Sequence, residues 1–278
     1  MPDTVSTAPN PKLPKPPKDL AERITLPDGQ ATISTRDLVK DYEQERAVDH
    51  VSFDVGPGSA TALLGGNGAG KTTTMAMLLG LLTPTSGKAI ILGADMAKDR
   101  YAVAARMNFS SPYVELPYRL TVEQNLSVFG SLYGVRKLKD RIAELAEDLD
   151  LTRLLKRPSG QLSAGQKTRL TLAKALINRP EVLLLDEPTA SLDPDTGDYV
   201  RQYLRRYLAE TGATMLLASH NMTEVERLCD QVLMMRDGRI HDADSPAGLI
   251  ERYGRQNLEE VFLDIARQGR QGPDGDEA

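Results

Sequence analysis

A chain of 278 residues with 40% hydrophobic residues can bury one large core or two small ones. Its formal net charge of -5 argues against a main task of coating nucleic acid, which needs clustered Lys and Arg, so no nucleic-acid partner is expected. The single cysteine, Cys229, can close no intramolecular disulfide, no Cys/His pair has metal spacing, and no apolar run approaches the ~20 residues that cross a bilayer. In chain order, residues 1–30 carry Pro2, Pro9, Pro11, Pro14, Pro16, Pro17 and Pro27 among polar residues and read as a Pro-rich flexible arm with no apolar signal segment. Residues 32–39 alternate like a strand, and residues 51–55 form a second one, ended by Gly56-Pro57-Gly58. A third apolar run, residues 60–64, enters a glycine-rich turn, and the apolar-rich stretch 74–82 behind it predicts a helix. A short strand is expected at 89–93. From Thr121 to about Leu155, Leu126, Phe129, Leu132, Tyr133, Ile142, Leu145 and Leu149 recur at helical spacing and indicate a helical insertion. Strand patterns return at 182–185, 214–218 and 232–235, each after a helix-like stretch, which predicts a mainly parallel sheet covered on both faces. Residues 269–278 read as a frayed acidic end.

The turn after the third run is Gly65-Gly66-Asn67-Gly68-Ala69-Gly70-Lys71-Thr72-Thr73, a full G-x-x-x-x-G-K-T match in a strand–turn–helix context. Its backbone amides and the helix N-terminus behind them suit an anion, which makes Gly65, Asn67, Gly68, Gly70, Lys71, Thr72 and Thr73 phosphate-binding candidates. Lys71 would reach the outer phosphates, and the Thr72 hydroxyl would ligate Mg²⁺. Residues 182–185 lead into Asp186-Glu187. Two acids ending a buried strand are costly unless a cation repays them, so Asp186 is assigned to Mg²⁺ and Glu187 to polarising the attacking water. Ser163 and Gln166 match S-x-x-Q, the capping-box pattern, ahead of a helix with Leu170, Ala173 and Ile177 on one face.

Leu162-Ser163-Ala164-Gly165-Gln166, lying between the P-loop and Asp186-Glu187-Pro188-Thr189, closely resembles the signature of the ATP-binding cassette (ABC) family, Leu-Ser-Gly-Gly-Gln, with Ala164 the one departure. The resemblance runs from about Thr32 to Pro246. It implies an α/β fold, a P-loop NTPase (RecA-like) core with a mainly parallel sheet, a small antiparallel β part and a helical insertion subdomain at about 113–162, the ATPase domain spanning 31–246 and a C-terminal extension 247–278. It further implies ATP as the nucleotide, Ser163, Gly165 and Gln166 as signature residues capping a partner's ATP, Asp193 in the D-loop, His220 as the switch histidine beside Glu187, and Tyr42 as the ring that stacks on adenine.

One family feature is absent. Ahead of Leu120-Thr121-Val122-Glu123-Gln124-Asn125-Leu126 the family carries a glutamine, and here Ser111 or Pro112 stands at its place. Gln124 lies too far into the helix to substitute, and a serine hydroxyl is expected to be too short to bridge to the metal, leaving coupling to packing around Phe109, Ser111, Pro112 and Tyr113. In the family the signature loop and the P-loop of one chain face different ATP molecules across a two-fold dimer, so the resemblance, with one cassette per chain, implies a homodimer closed around two ATP. Residues 258–264, Leu-Glu-Glu-Val-Phe-Leu-Asp, resemble the tail of ATPase subunits of ABC-2-type exporters, which serve separately encoded transmembrane permeases, and place the chain at the cytoplasmic face of the membrane. The same residues also suit a short amphipathic helix that packs Leu258, Val261 and Phe262 on the core. The alternative function is a soluble ABC ATPase that remodels a protein or ribonucleoprotein complex.

Overall fold

The computed structural model describes residues 31–111, 114–189 and 191–268. The expected N-terminal arm, the frayed end, Pro112 and Tyr113 lie outside the described residues. Two strands, β1 (Ile33–Tyr42) and β2 (Glu45–Val55), form a long hairpin, longer at its turn than the sequence pattern indicates. Strand β3 (Ala60–Leu64) leads into helix α1 (Lys71–Leu78). The helix starts three residues before the expected Thr74 and stops at Leu78, because Gly70, at φ 98°, ends the loop and its carbonyl accepts from both the amide and the hydroxyl of Thr74 at 2.9 Å. Strands β4 (Ser86–Ile91), β5 (Ala94–Asp95) and β6 (Met107–Ser110) follow. Helices α2 (Val122–Leu132) and α3 (Leu138–Asp148) make up the insertion. Beyond them come α4 (Ala164–Leu176), β7 (Val182–Asp186), α5 (Pro194–Thr211) and β8 (Thr214–Ser219). The described chain closes with α6 (Met222–Leu228), β9 (Gln231–Arg236), β10 (Arg239–Asp244), α7 (Pro246–Tyr253) and α8 (Leu258–Gln268).

A 4-stranded antiparallel sheet, β2-β1-β4-β5, lies over a 6-stranded sheet of order β10-β9-β3-β8-β7-β6, in which every pairing but β10 with β9 is parallel. Alternation along the central strands divides the core. Leu63, Leu184, Leu216 and Leu233 meet α1 and the antiparallel sheet, whereas Leu64, Leu185, Leu217 and Met234 meet the helices on the opposite face. Both faces are covered, which is why these strands read as continuous apolar runs. The sequence pattern missed β6 and β10. Asn108 interrupts the first and Asp242 the second, and each buried polar side chain is paired inside the fold: Asn108 donates to Asn178 Oδ1 at 2.8 Å, and Asp242 accepts from Arg252 at 2.5 Å. Helix α8 seats Leu258, Val261 and Ile265 in the main core with Phe262 half-buried, so the amphipathic reading of this segment holds.

The insertion is joined to the core by a buried cation. Lys174 of α4, only 4% exposed, donates to the Phe109 carbonyl at 3.0 Å, with its ammonium 4.4 Å from the Phe109 ring centroid and 5.5 Å from that of Phe129 on α2. Burial pushes its pKa down to about 8, against the pull of two ring faces that favour the charged form. Below pH 8 both folded and unfolded chains carry this charge. Between pH 8 and 10.5 the unfolded chain binds more protons, so stability rises with pH across that window. Urea unfolding of wild type and Lys174→Met should therefore show the wild-type stability climbing relative to the variant, by up to about 1.4 kcal/mol per pH unit. A pH-independent difference would mean that this ammonium keeps its ordinary pKa.

Candidate nucleotide site

The parallel register brings the sequence motifs to one edge. Leu64 stands opposite Ser219, Asp186 opposite Ala218, and Ser110 opposite Leu185, so the residues that follow β3, β7, β8 and β6 all leave the sheet at its carboxyl end. Ligands of open α/β sheets bind there. The glycine-rich loop crosses this edge with Asn67 and Gly68 exposed at its crest and Ala69 buried beneath. A side chain at Gly65 would stand 2.3 Å from the Met235 carbonyl, and one at Gly70 2.4 Å from the Ala47 carbonyl, so both glycines are required by close backbone approach. Gly66 and Gly68 face open space, which leaves a cradle above the loop.

Lys71 Nζ lies inside the loop, donating to Gly65 O at 2.6 Å and Gly66 O at 3.0 Å. Burial lowers its pKa, opposed by the charges of Glu187 and Asp186. Thr72 is exposed and Thr73 half-buried in the first turn of α1, whose leading amides face the cradle. The Asp186 carboxyl is raised, first by burial and then by the neighbouring Glu187, while a hydrogen bond from Ser111 and the Lys71 charge pull it down. The Ser111 hydroxyl donates to Asp186 Oδ2 at 3.2 Å, because β6 pairs in register with β7 and delivers residue 111 beside the carboxylate.

Glu187 occupies the left-handed region, at φ 50°, a conformation that costs a non-glycine residue of order 1 kcal/mol. Its amide donates to Ala218 O at 2.8 Å, and its Oε1 accepts from the His220 amide at 3.0 Å and lies 2.5 Å from His220 Nδ1. A carboxylate only accepts, so the imidazole proton in this contact sits on Nδ1. Lys71, Asp186, Glu187 and His220 are thus gathered as the sequence suggests. Ser219, Thr189 and Glu224 were not singled out by sequence, yet they share hydrogen bonds beside Glu187: Ser219 Oγ is 3.5 Å from Glu187 Oε2 and donates to Glu224 Oε2 at 2.6 Å, and Thr189 donates to Glu224 Oε1. The only sequence signal for Glu224 is its place three residues after Asn221, which reads as an ordinary helix cap.

The remaining candidates are outside this cluster. Tyr42 ends β1 at the hairpin tip, 51% exposed, with Lys40 Nζ 5.4 Å from its ring centroid. The same hairpin carries the Ala47 carbonyl against Gly70 at the end of the P-loop. Ser163 and Gln166 close the capping box on each other, at 3.0 and 3.3 Å, at the N-terminus of α4. Gly165 backs onto Ser191, whose carbonyl would lie 3.3 Å from a side chain there. Asp193 caps α5, accepting the Thr196 amide at 3.0 Å, and these bonds hold its pKa below the ordinary value.

Comparison with known proteins agrees with this geometry. The ABC transporter family matches residues 48–190. The Nod factor export ATP-binding protein I of Paraburkholderia xenovorans is 39% identical over 236 residues, 84% of this chain and 77% of that protein. The bacitracin transport ATP-binding protein BcrA of Bacillus licheniformis is 36% identical over 230 residues, 82% of this chain and 74% of its own. Among solved structures, the ATP-binding subunit of an ABC transporter superposes with TM-score 0.78 at 26% identity, over 84% of this chain and 99% of that one. An ATP-binding cassette dimer in a post-hydrolysis state shares the fold, with TM-score 0.71 at 23% identity over 77% of this chain and 98% of its own. A P-loop cradle, two carboxylates and a histidine on one sheet edge, together with these relatives, identify the chain as an ATP-hydrolysing member of the ABC transporter family.

Proposed function

We propose that the chain is the nucleotide-binding subunit of an exporter, closing as a homodimer around two ATP and pulling on a separately encoded transmembrane permease from the cytoplasmic face of the membrane. The observation that carries the permease is an apolar groove of about 450 Å³ between the end of α1, β6 and the end of α2, lined by Leu79, Leu81, Tyr101, Phe109 and Tyr133. Leu81 is 71% and Tyr101 80% exposed, and contiguous exposed apolar surface marks a partner site. Among the described residues no helix is long and apolar enough to cross a membrane. The named relatives serve export and transport, which favours outward movement of cargo.

At the site, Lys71 would exchange the Gly65 and Gly66 carbonyls for phosphate oxygens, and the first-turn amides of α1 with Thr73 would hold the rest of the anion. The Thr72 hydroxyl and the Asp186 carboxylate form a hard oxygen pair that suits Mg²⁺, an ion that takes one or two protein oxygens and completes its shell with phosphates and water. Among the described residues no cluster of three or more His, Cys, Asp or Glu side chains offers a closed metal cage instead. When bound, Mg²⁺ neutralises charge on the phosphates. Glu187 orients the attacking water, and His220 fixes that carboxylate through its amide and ring. Tyr42 supplies the adenine stack. Ser163 and Gln166 satisfy one another, so the signature contact to the partner's ATP runs largely through backbone amides at the start of α4, near Gly165, with Asp193 setting the D-loop alongside.

Glu187→Gln should bind ATP with near-wild-type affinity, lose nearly all turnover and elute as a trapped dimer with ATP and Mg²⁺ in size-exclusion chromatography; normal hydrolysis would take Glu187 out of the reaction. Tyr42→Ala should weaken ATP binding by roughly 1–3 kcal/mol, the range for base–aromatic stacking, while Tyr42→Phe should not. A nucleotide titration giving equal affinities would leave Tyr42 an ordinary loop residue. Leu81→Glu and Tyr101→Glu should keep basal ATPase activity but lose the permease when membranes are solubilised and the chain is pulled down. Recovery of a soluble complex in place of a multi-span protein would favour the remodelling alternative.

A further inference from the structure

Glu224 is fully buried, yet nothing in the reaction as described above uses it. It occupies the third position of α6 behind the N-cap Asn221, where a glutamate ordinarily turns back to the cap's amide. Here it turns inward. Its Oε1 accepts the Thr189 hydroxyl at 2.7 Å and its Oε2 the Ser219 hydroxyl at 2.6 Å, and the Asn221 amide goes to Ser219 Oγ at 3.0 Å instead. The two hydroxyls belong to different loops. Thr189 follows Glu187 and Pro188 and leads to Ser191, itself at φ 66°, and to Asp193; Ser219 ends β8 immediately before His220.

We propose that Glu224 is a positioning residue for ATP hydrolysis, clamping the loop that carries Glu187 and the D-loop to the loop that carries His220. The inference rests on Glu187 as the water-orienting group. A carboxylate at φ 50° has no local preference for that conformation, so its aim is set by what holds the flanking residues. On one side the hold is His220, whose position depends on Ser219; on the other it is Thr189. Both converge on one buried carboxyl. A hydroxyl has one proton, and the 2.6 Å bond to Glu224 commits that of Ser219, which stays 3.5 Å from Glu187 Oε2 as a second, looser neighbour. Burial raises the Glu224 pKa and the Glu187 charge raises it further, while the two hydroxyl bonds and Arg201 lower it. The hydrogen bonds, which a neutral side chain of the same shape can keep, are therefore the essential feature.

The test is steady-state hydrolysis and nucleotide affinity of the full chain, with a fluorescent ATP analogue as the binding probe. Glu224→Ala should lower kcat by about 10- to 100-fold, leaving KM for ATP and analogue affinity within about threefold, because the P-loop and Tyr42 are untouched. Glu224→Gln, which can accept from Thr189 and donate to Ser219, should recover kcat to within about fivefold of wild type. If Glu224→Ala does not fold, Thr189→Val and Ser219→Ala carry the test, each expected to cut kcat several-fold at unchanged affinity. The inference is overturned by a kcat within twofold of wild type in Glu224→Ala, by equal losses in kcat and affinity, by failure of Glu224→Gln to recover, or by wild-type kcat in both hydroxyl deletions. Wild-type hydrolysis by Glu224→Ala alongside an inactive Glu187→Gln removes this clamp alone; an active Glu187→Gln removes the reading beneath it.

Discussion

The register of the parallel strands is the constraint on which everything else in this molecule depends. Central strands buried on both faces carry no apolar–polar alternation to fix their offset, so other contacts must pin them. They do so at the amino edge, opposite the nucleotide site. The Ala60 amide donates to the Asp230 side chain at 2.9 Å, which ties the start of β3 to the approach to β9. The Thr214 hydroxyl takes the Gly58 amide at 3.1 Å and gives to Gly56 O at 3.3 Å, which ties β8 to the turn before β3. With the lower ends fixed, strands of similar length deliver Leu64, Ser219, Asp186 and Ser110 to the upper edge together.

That edge then works electrostatically as a unit. Lys71 is drawn into the loop by two carbonyl oxygens, and the same ammonium offsets the charges of Asp186 and Glu187, which would otherwise repel at adjacent positions. Burial and the Glu187 charge raise the Asp186 carboxyl, while the Ser111 bond and the Lys71 charge pull it down. Ser111 adds a neutral donor to Asp186. The short side chain reaches this carboxylate because β6 pairs in register with β7.

How far the sequence disclosed this can be read residue by residue. The apolar runs of β3, β7, β8 and β9 were legible because both faces are covered, and the P-loop because its composition admits few other uses. Strand β6 was not, since Asn108 reads as a loop residue until its partner Asn178, 70 positions away, is known. The first turn of α1 was misplaced because Lys71, Thr72 and Thr73 are polar in a helix whose start faces an anion site rather than the core. The partners of Ser111 and Glu224 were hidden for a related reason. Each looks locally ordinary, one as a loop serine and the other as half of a cap, and only long-range pairing directs them to Asp186 and to Thr189 and Ser219.

The loops that would meet a second copy are not independent of the Glu187 cluster. Gly165, at the signature, has room for no side chain without moving the Ser191 carbonyl, and Ser191 stands at φ 66° in the segment whose Thr189 is bonded to Glu224. Thr189 is joined in turn, through the Glu224 carboxyl, to Ser219, the residue before His220. The helix itself is attached to β6 through Lys174 and the Phe109 carbonyl, two residues before Ser111. Two routes thus leave α4, one ending behind Glu187 and the other beside Asp186. Movement of α4 would therefore bear on the segments that carry both carboxylates of the site rather than on either one alone.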